Sequence, residues 1–181
     1  MKIIINDFKS VIFFLLCCVI CSCNRNADKF NSWQTYGGTK ENIHYSSLTQ
    51  IDTSNVQNLQ VAWEYHTQDA DTANHSQIQC NPIIIDSTLY GTSPQAKLFA
   101  IDAATGKQKW VFNPVDSIGN KGMFFILNNI RGITYWSDKN AQRIFYTAGS
   151  NLYSIDAATG KPDKNLVVME KLICMMNWTG M

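Results

Sequence analysis

Histidine and cysteine are the residue types here best suited to holding a metal, and the sequence has three of the first and six of the second. Their placement argues against that use. His44, His66 and His75 follow no ligand-like spacing. Cys17, Cys18, Cys21 and Cys23 crowd the N-terminus, Cys174 lies in an atypical C-terminal stretch, and Cys80 alone remains between them. That pattern gives neither a disulfide framework nor a metal knuckle. The polar chemistry that does recur is main-chain capping. Asp102, Thr105 and Gly106 return as Asp156, Thr159 and Gly160. An Asp carboxylate accepts hydrogen bonds from turn amides, and Gly takes the positive φ a tight corner needs. Such a constellation fixes a corner between strands.

The corner belongs to a longer repeat. Leu98-Phe99-Ala100-Ile101-Asp102-Ala103-Ala104-Thr105-Gly106-Lys107 recurs 54 residues later as Leu152-Tyr153-Ser154-Ile155-Asp156-Ala157-Ala158-Thr159-Gly160-Lys161. Seven consecutive identities are not expected by chance, and two unrelated hairpins sharing a turn are the alternative. Each copy reads as strand, tight turn and returning strand. After the first turn Trp110 and Phe112 point to one face and Val111 to the other. A large indole at a fixed place suits packing between neighbouring sheets. Roughly 40–50 residues per four-stranded unit is propeller spacing.

The remaining elements are also β-type. Thr53 to Leu59 permits a short capped helical turn. Gln60 to Tyr65 alternates as a half-buried strand does. Asp69 to Gln79 is a polar loop. Pro82 to Ile85, then Asp86-Ser87, then Thr88 to Gly91 reads as a hairpin. No stretch sustains an amphipathic helical period for three turns.

Composition bounds the partners. With 15 Lys+Arg against 14 Asp+Glu the net charge is +1, so no basic stripe for nucleic acid is expected. The apolar run Val11 to Ile20, with Lys2 and Lys9 before it, is too short to span a bilayer and suits a signal peptide. It ends in Ile20-Cys21-Ser22-Cys23, which resembles a bacterial lipobox with Cys23 as the lipidated residue. An ordinary signal peptide or an uncleaved anchor remains the alternative. Residues 1–22 are then a lipoprotein signal peptide and 23–32 a polar tether. Acyl chains hold such a protein at a membrane at about 0.8 kcal/mol per buried CH₂.

Residues 33–165 resemble one family. Ala100-x-Asp102-x-x-Thr105-Gly106-Lys107-x-x-Trp110 is similar to the tryptophan-docking motif of pyrroloquinoline quinone (PQQ) dehydrogenase propellers. The second copy has Ser154 for the Ala and Lys164 where the Trp belongs. Trp33-x-x-Tyr36-Gly37-Gly38, with His44-Tyr45-Ser46-Ser47-Leu48-x-Gln50-Ile51, resembles the opening of membrane-associated quinoprotein dehydrogenases. Asn55-Val56-x-x-Leu59-x-x-Ala62-Trp63-x-Tyr65 continues it. Arg131-Gly132-Ile133-Thr134-Tyr135-Trp136 is similar to the family's Arg-Gly segment. The resemblance implies an all-β fold, the first two to three blades of an eight-bladed propeller.

It also implies a site. Arg131 matches the family arginine that pairs with a PQQ carboxylate, a group the guanidinium fork binds bidentately. Gln79 falls where many members carry a Glu beside the quinone. Pro94 stands where some glucose-oxidising members place a His. Met123 to Leu127 replaces the adjacent cysteines of methanol-oxidising relatives, leaving Phe124 or Phe125 to cover the ring or pack in a core. The function implied is oxidation of a sugar or alcohol, glucose-type first, with PQQ and calcium. Electrons would pass to a membrane quinone or cytochrome. The location implied is the periplasm or outer membrane of a Gram-negative-type bacterium.

Catalytic base and calcium ligands lie in later blades of the family, so no catalytic residue is expected in this chain. Eight blades at this repeat length need about 430 residues. The chain alone is therefore expected to be inactive. Residues 166–181 read as an aberrant tail. With suitable codons, one added T after Asn165 restores Asn-Phe-Gly-Ser-Asn-Gly-Lys-Ile-Asp-Leu, a family-like continuation. That points to a frameshift. A non-catalytic lipoprotein propeller used as a binding scaffold is the alternative function.

Overall fold

The protein is described by a computed structural model over residues 31–73, 75–118, 130–149 and 151–163. Cys23, the leader, the first residues of the tether, Phe124, Phe125, Lys164 and the tail lie outside the described residues.

Among the described residues, seven strands form two antiparallel meanders. The first sheet contains β1 (Ile83–Ile85), β2 (Thr88–Thr92), β3 (Leu98–Asp102) and β4 (Gln108–Phe112), in that order. The second contains β5 (Thr134–Ser137), β6 (Gln142–Ala148) and β7 (Asn151–Asp156). Local sequence explains each element. Ile83 and Ile85 are buried while Ile84 is exposed, the period-2 alternation of a half-buried strand. Asp86 and Ser87 both take positive φ, 44° and 64°, as a two-residue hairpin turn requires. Thr88 then pairs back with Ile85. β3 is central and almost wholly buried, whereas β4 shows mostly exposed residues at the rim.

One hydrophobic cluster joins the sheets. Ile83, Ile85, Tyr90, Leu98, Ala100 and Phe112 come from the first. Ile144, Tyr146, Tyr153 and Ile155 come from the second. Burying an aliphatic or aromatic side chain of this size contributes about 1.5–3 kcal/mol, so the seam between sheets dominates stability. Aromatic edges lock it: Phe112 meets Tyr153 at 5.4 Å and Tyr146 at 6.3 Å between ring centroids. Two meanders stacked through such a seam are two blades of a partial propeller.

Two local departures from the sequence reading stand out. Thr53 to Leu59 forms the short helical turn as a single 3-10 turn, Val56–Asn58, but the Asn55 side chain does not cap it. Gln60 to Tyr65 shows the expected alternation, with Trp63 and Tyr65 half-buried and Ala62 and Glu64 exposed. It is nonetheless no strand, because no described segment pairs with its main chain.

Candidate functional site

The two repeated corners have the same construction. Asp102 Oδ1 accepts from the Thr105 N–H at 2.9 Å, the Thr105 hydroxyl at 2.8 Å and the Ala104 N–H at 3.2 Å. Asp156 Oδ1 accepts from the Thr159 N–H at 2.8 Å and hydroxyl at 2.7 Å. The Thr105 hydroxyl and N–H hold the Asp102 carboxyl below its ordinary range, because both bonds favour the charged form. Gly106 and Gly160 close the corners at φ of +70° and +71°.

An indole lies on each glycine. Trp63 covers Gly106 and donates from Nε1 to the Ala103 carbonyl at 3.2 Å. Trp110 covers Gly160 and donates to the Ala157 carbonyl at 3.0 Å. Each tryptophan therefore docks on the corner that follows its own segment. The aromatic two residues later repeats the pattern: Tyr65 sits 5.0 Å from Phe99, and Phe112 sits 5.4 Å from Tyr153. The sequence motif points to docking by Trp110 and places Trp63 in a strand. The shared spacing, Trp63-x-Tyr65 and Trp110-x-Phe112, is the signal that finds it.

Gln79 and Arg131 lie at the other end of the sheets. Asn81 precedes β1, Gly132 precedes β5, and a parallel bridge joins them. The Asn81 N–H donates to the Arg131 carbonyl at 3.2 Å. The chain thus brings the first strands of both sheets together where the two candidates sit. Arg131 is exposed, and its guanidinium makes no hydrogen bond or ion pair with a described residue. Gln79 is half-buried and donates its amide to Gln77 Oε1 at 3.2 Å. A guanidinium is a fork that binds a carboxylate bidentately.

The Trp33 opening abuts this end. The Trp33 carbonyl accepts from the Ile84 N–H at 2.9 Å, and its ring lies over Gly38. Tyr36 reaches Gly132, where an added Cβ would lie 3.8 Å from its ring. His44 packs over Gly37, with Nε2 2.7 Å from Asn42 Oδ1. Among the described residues no three His, Cys, Asp or Glu side chains group together.

One buried cluster was not legible in sequence. Asp69, inside the polar loop, is buried, accepts from the Ser93 hydroxyl at 2.5 Å and lies 3.7 Å from Lys97 Nζ. The Ser93 N–H donates to the Lys97 carbonyl at 2.8 Å, and Tyr146 donates its hydroxyl to Ala96 at 3.3 Å. The β2–β3 turn, with Pro94 buried inside it, is thus held from both sides. Cys80 is half-buried nearby in sequence to Gln79, and burial pushes its thiol pKa up. A cleft of about 280 Å³ lined by Thr88, Tyr90, Lys109, Trp110 and Gln142 lies at the opposite, docking end.

The family model for the glucose/ethanol/alcohol dehydrogenase β-propeller domain with PQQ matches residues 33–167. The chain belongs to this PQQ dehydrogenase propeller family. Relatives agree. The dehydrogenase subunit of a quinone alcohol dehydrogenase from Gluconacetobacter polyoxogenes is 40% identical over 136 residues, covering 74% of this chain and 17% of that protein. A quinoprotein glucose dehydrogenase from Gluconobacter oxydans is 37% identical over 149 residues, covering 72% and 18%. The crystal structure of the quinohemoprotein alcohol dehydrogenase from Comamonas testosteroni superposes with a TM-score of 0.59 at 27% identity, covering 76% and 19%. The chain spans less than a fifth of the length of each of these relatives. The two stacked sheets are therefore propeller blades of the PQQ dehydrogenase type.

Proposed function

We propose that the chain is the N-terminal portion of a PQQ-dependent dehydrogenase that oxidises a sugar or alcohol, glucose-type first. The single observation that carries this reading is the Asn81-to-Arg131 main-chain bond. It sets Gln79 and Arg131 at one end of adjoining blades. In this reading Arg131 binds a PQQ carboxylate as a bidentate fork, and Gln79 turns its amide from Gln77 to a neighbouring oxygen. Bound PQQ would supply a two-electron acceptor. Calcium ligands and the proton-abstracting base belong to other parts of the intact protein. The 181-residue chain alone turns over no substrate. Cys23 carries the lipid anchor, the protein works at the periplasmic membrane surface, and electrons leave to a membrane quinone or cytochrome.

Restoring the reading frame after Asn165 and expressing the extended product tests this. Dye reduction is measured with PQQ, calcium and a panel of sugars and alcohols. Activity in the extended product, absent from the present chain, is expected. An extended product that binds no PQQ would instead support a lipoprotein scaffold, which needs the docking corners but not Arg131.

A further inference from the structure

The strand registers Ile83↔Tyr90 and Thr92↔Leu98 put the start of β1 and the β2–β3 turn, Ser93 to Lys97, at one end of the first blade. Gln79 leads into β1 at that end, and there the Asn81 N–H reaches the Arg131 carbonyl. The polar loop that carries Gln79 is tied to this turn at both of its ends. At its start the Asp69 side chain, 5% exposed, accepts from the Ser93 hydroxyl at 2.5 Å and lies 3.7 Å from Lys97 Nζ. The Lys97 N–H donates in turn to Ser93 Oγ at 3.0 Å. At its finish Cys80 is hydrogen-bonded by Thr92, the residue before Ser93.

Between these anchors the loop folds on itself. The Asp71 N–H donates to Ser76 Oγ at 2.7 Å, the Ser76 N–H returns to the Asp71 carbonyl at 3.0 Å, and the Ala73 N–H reaches Asp71 Oδ1 at 3.1 Å. A loop whose ends meet and whose interior is bonded to itself is held as one piece, so what fixes its ends fixes Gln79.

The turn itself needs holding. Buried Ala96 stands at φ 63°, a conformation costly for a residue with a Cβ. Its carbonyl accepts from the Tyr146 hydroxyl of the second blade, the blade that Arg131 leads into. One turn is thus the common reference for both candidate contacts, Gln79 through Asp69 and Arg131 through the sheet of Tyr146. For stability alone the cluster offers little: desolvating a carboxylate offsets most of what one hydroxyl bond and a lysine at 3.7 Å contribute. Its strength is in fixing geometry.

We propose that Asp69 is a positioning residue: by bonding Ser93 it closes the loop 69–80 and sets the Gln79 amide where a cofactor held by Arg131 meets it. Asp69 acts through Ser93 and Gln79 and not by contact. This role rests on Gln79 and Arg131 being the cofactor contacts proposed above.

Hydrogen exchange on the full chain and equilibrium PQQ binding by the frame-restored product test it together. Asp69→Ala removes the anchor, and Ser93→Ala removes its partner and serves should Asp69→Ala not fold. In either variant the amides of Asp71, Ser76 and Gln79 are expected to exchange about 10-fold faster, while those of β3 stay protected. PQQ affinity is expected to fall about 5- to 10-fold, the worth of one hydrogen bond. In a Gln79→Ala background the same substitution is expected to change affinity no further, because its effect passes through Gln79. Unchanged loop exchange, or exchange that rises equally in β3, overturns the proposal. So does unchanged affinity, or an equal affinity loss with and without Gln79. A frame-restored product that binds no PQQ even without substitution overturns the cofactor reading, and this role with it.

Discussion

The indole N–H of Trp110 donates at 3.0 Å to the carbonyl of Ala157, 47 residues further along the chain and in the next blade. The Tyr90 hydroxyl donates to the same carbonyl at 3.1 Å. One backbone oxygen thereby ties the outer strand and the second strand of the first blade to the corner of the second. This bond, the glycine under the indole and the aromatic seam behind it make the two blades one unit.

Gly160→Ala is expected to destabilise the chain by about 2–4 kcal/mol. An L side chain at φ +71° is strained, and its Cβ would lie 2.6 Å from the Trp110 ring. Gly132→Ala places its Cβ 3.8 Å from the Tyr36 ring, an ordinary contact, and is expected to stay within about 0.5 kcal/mol. Urea unfolding followed by tryptophan fluorescence compares the two.

Trp110→Phe and Tyr90→Phe are expected to cost about 1–3 kcal/mol and about 1 kcal/mol respectively. The double variant is expected to cost more than their sum, because the Ala157 carbonyl then has neither donor. A double-mutant cycle reads this coupling, and strict additivity would show that the shared carbonyl does not link the two side chains.

Burial pushes the pKa of Tyr146 far above the ordinary tyrosine value, and Tyr90 and Tyr153 shift the same way, again chiefly through burial. In the unfolded chain these phenols ionise near 10, while the folded ones stay protonated. The unfolded state then binds fewer protons, so stability falls as pH rises past about 10 and is unaffected below it. Tyr146→Phe is expected to flatten that alkaline loss in a pH series of urea midpoints.

Thr105→Val removes the hydroxyl that most lowers the Asp102 pKa and leaves the Thr105 N–H bond in place. The Asp102 carboxyl is expected to titrate higher, though still below its ordinary value. Folded-state stability from this group is present above about 3.8 and is lost as pH falls through the depressed value, so the variant loses it earlier on acidification. Carboxyl-carbon NMR titration measures the shift directly.

Much of this architecture is legible from local sequence. The Asp-Thr-Gly corners announce themselves because capping and positive φ restrict residue type at each position. The Ile83 to Thr88 hairpin does so through its alternation and turn. Trp63 is harder to place, since its partner Ala103 is 40 residues away and only the shared Trp-x-aromatic spacing hints at it. Asp69 is harder still. A carboxylate between polar neighbours reads as solvated, and only the folded β2–β3 turn supplies the Ser93 and Lys97 groups that let it be buried. The nearness of Gln79 to Arg131 rests on a main-chain bridge, which side-chain identity does not encode.

Arg131 is the residue on which cofactor binding by these blades depends most directly. Equilibrium binding of PQQ to the frame-restored product, with Arg131→Ala and Arg131→Lys beside it, tests that role. The expected result is one equivalent of PQQ bound, affinity falling about 10- to 100-fold for Ala and less for Lys, and unchanged urea midpoints, since the guanidinium has no described partner to lose. Equal affinity in all three proteins, or no PQQ bound by any of them, would contradict it.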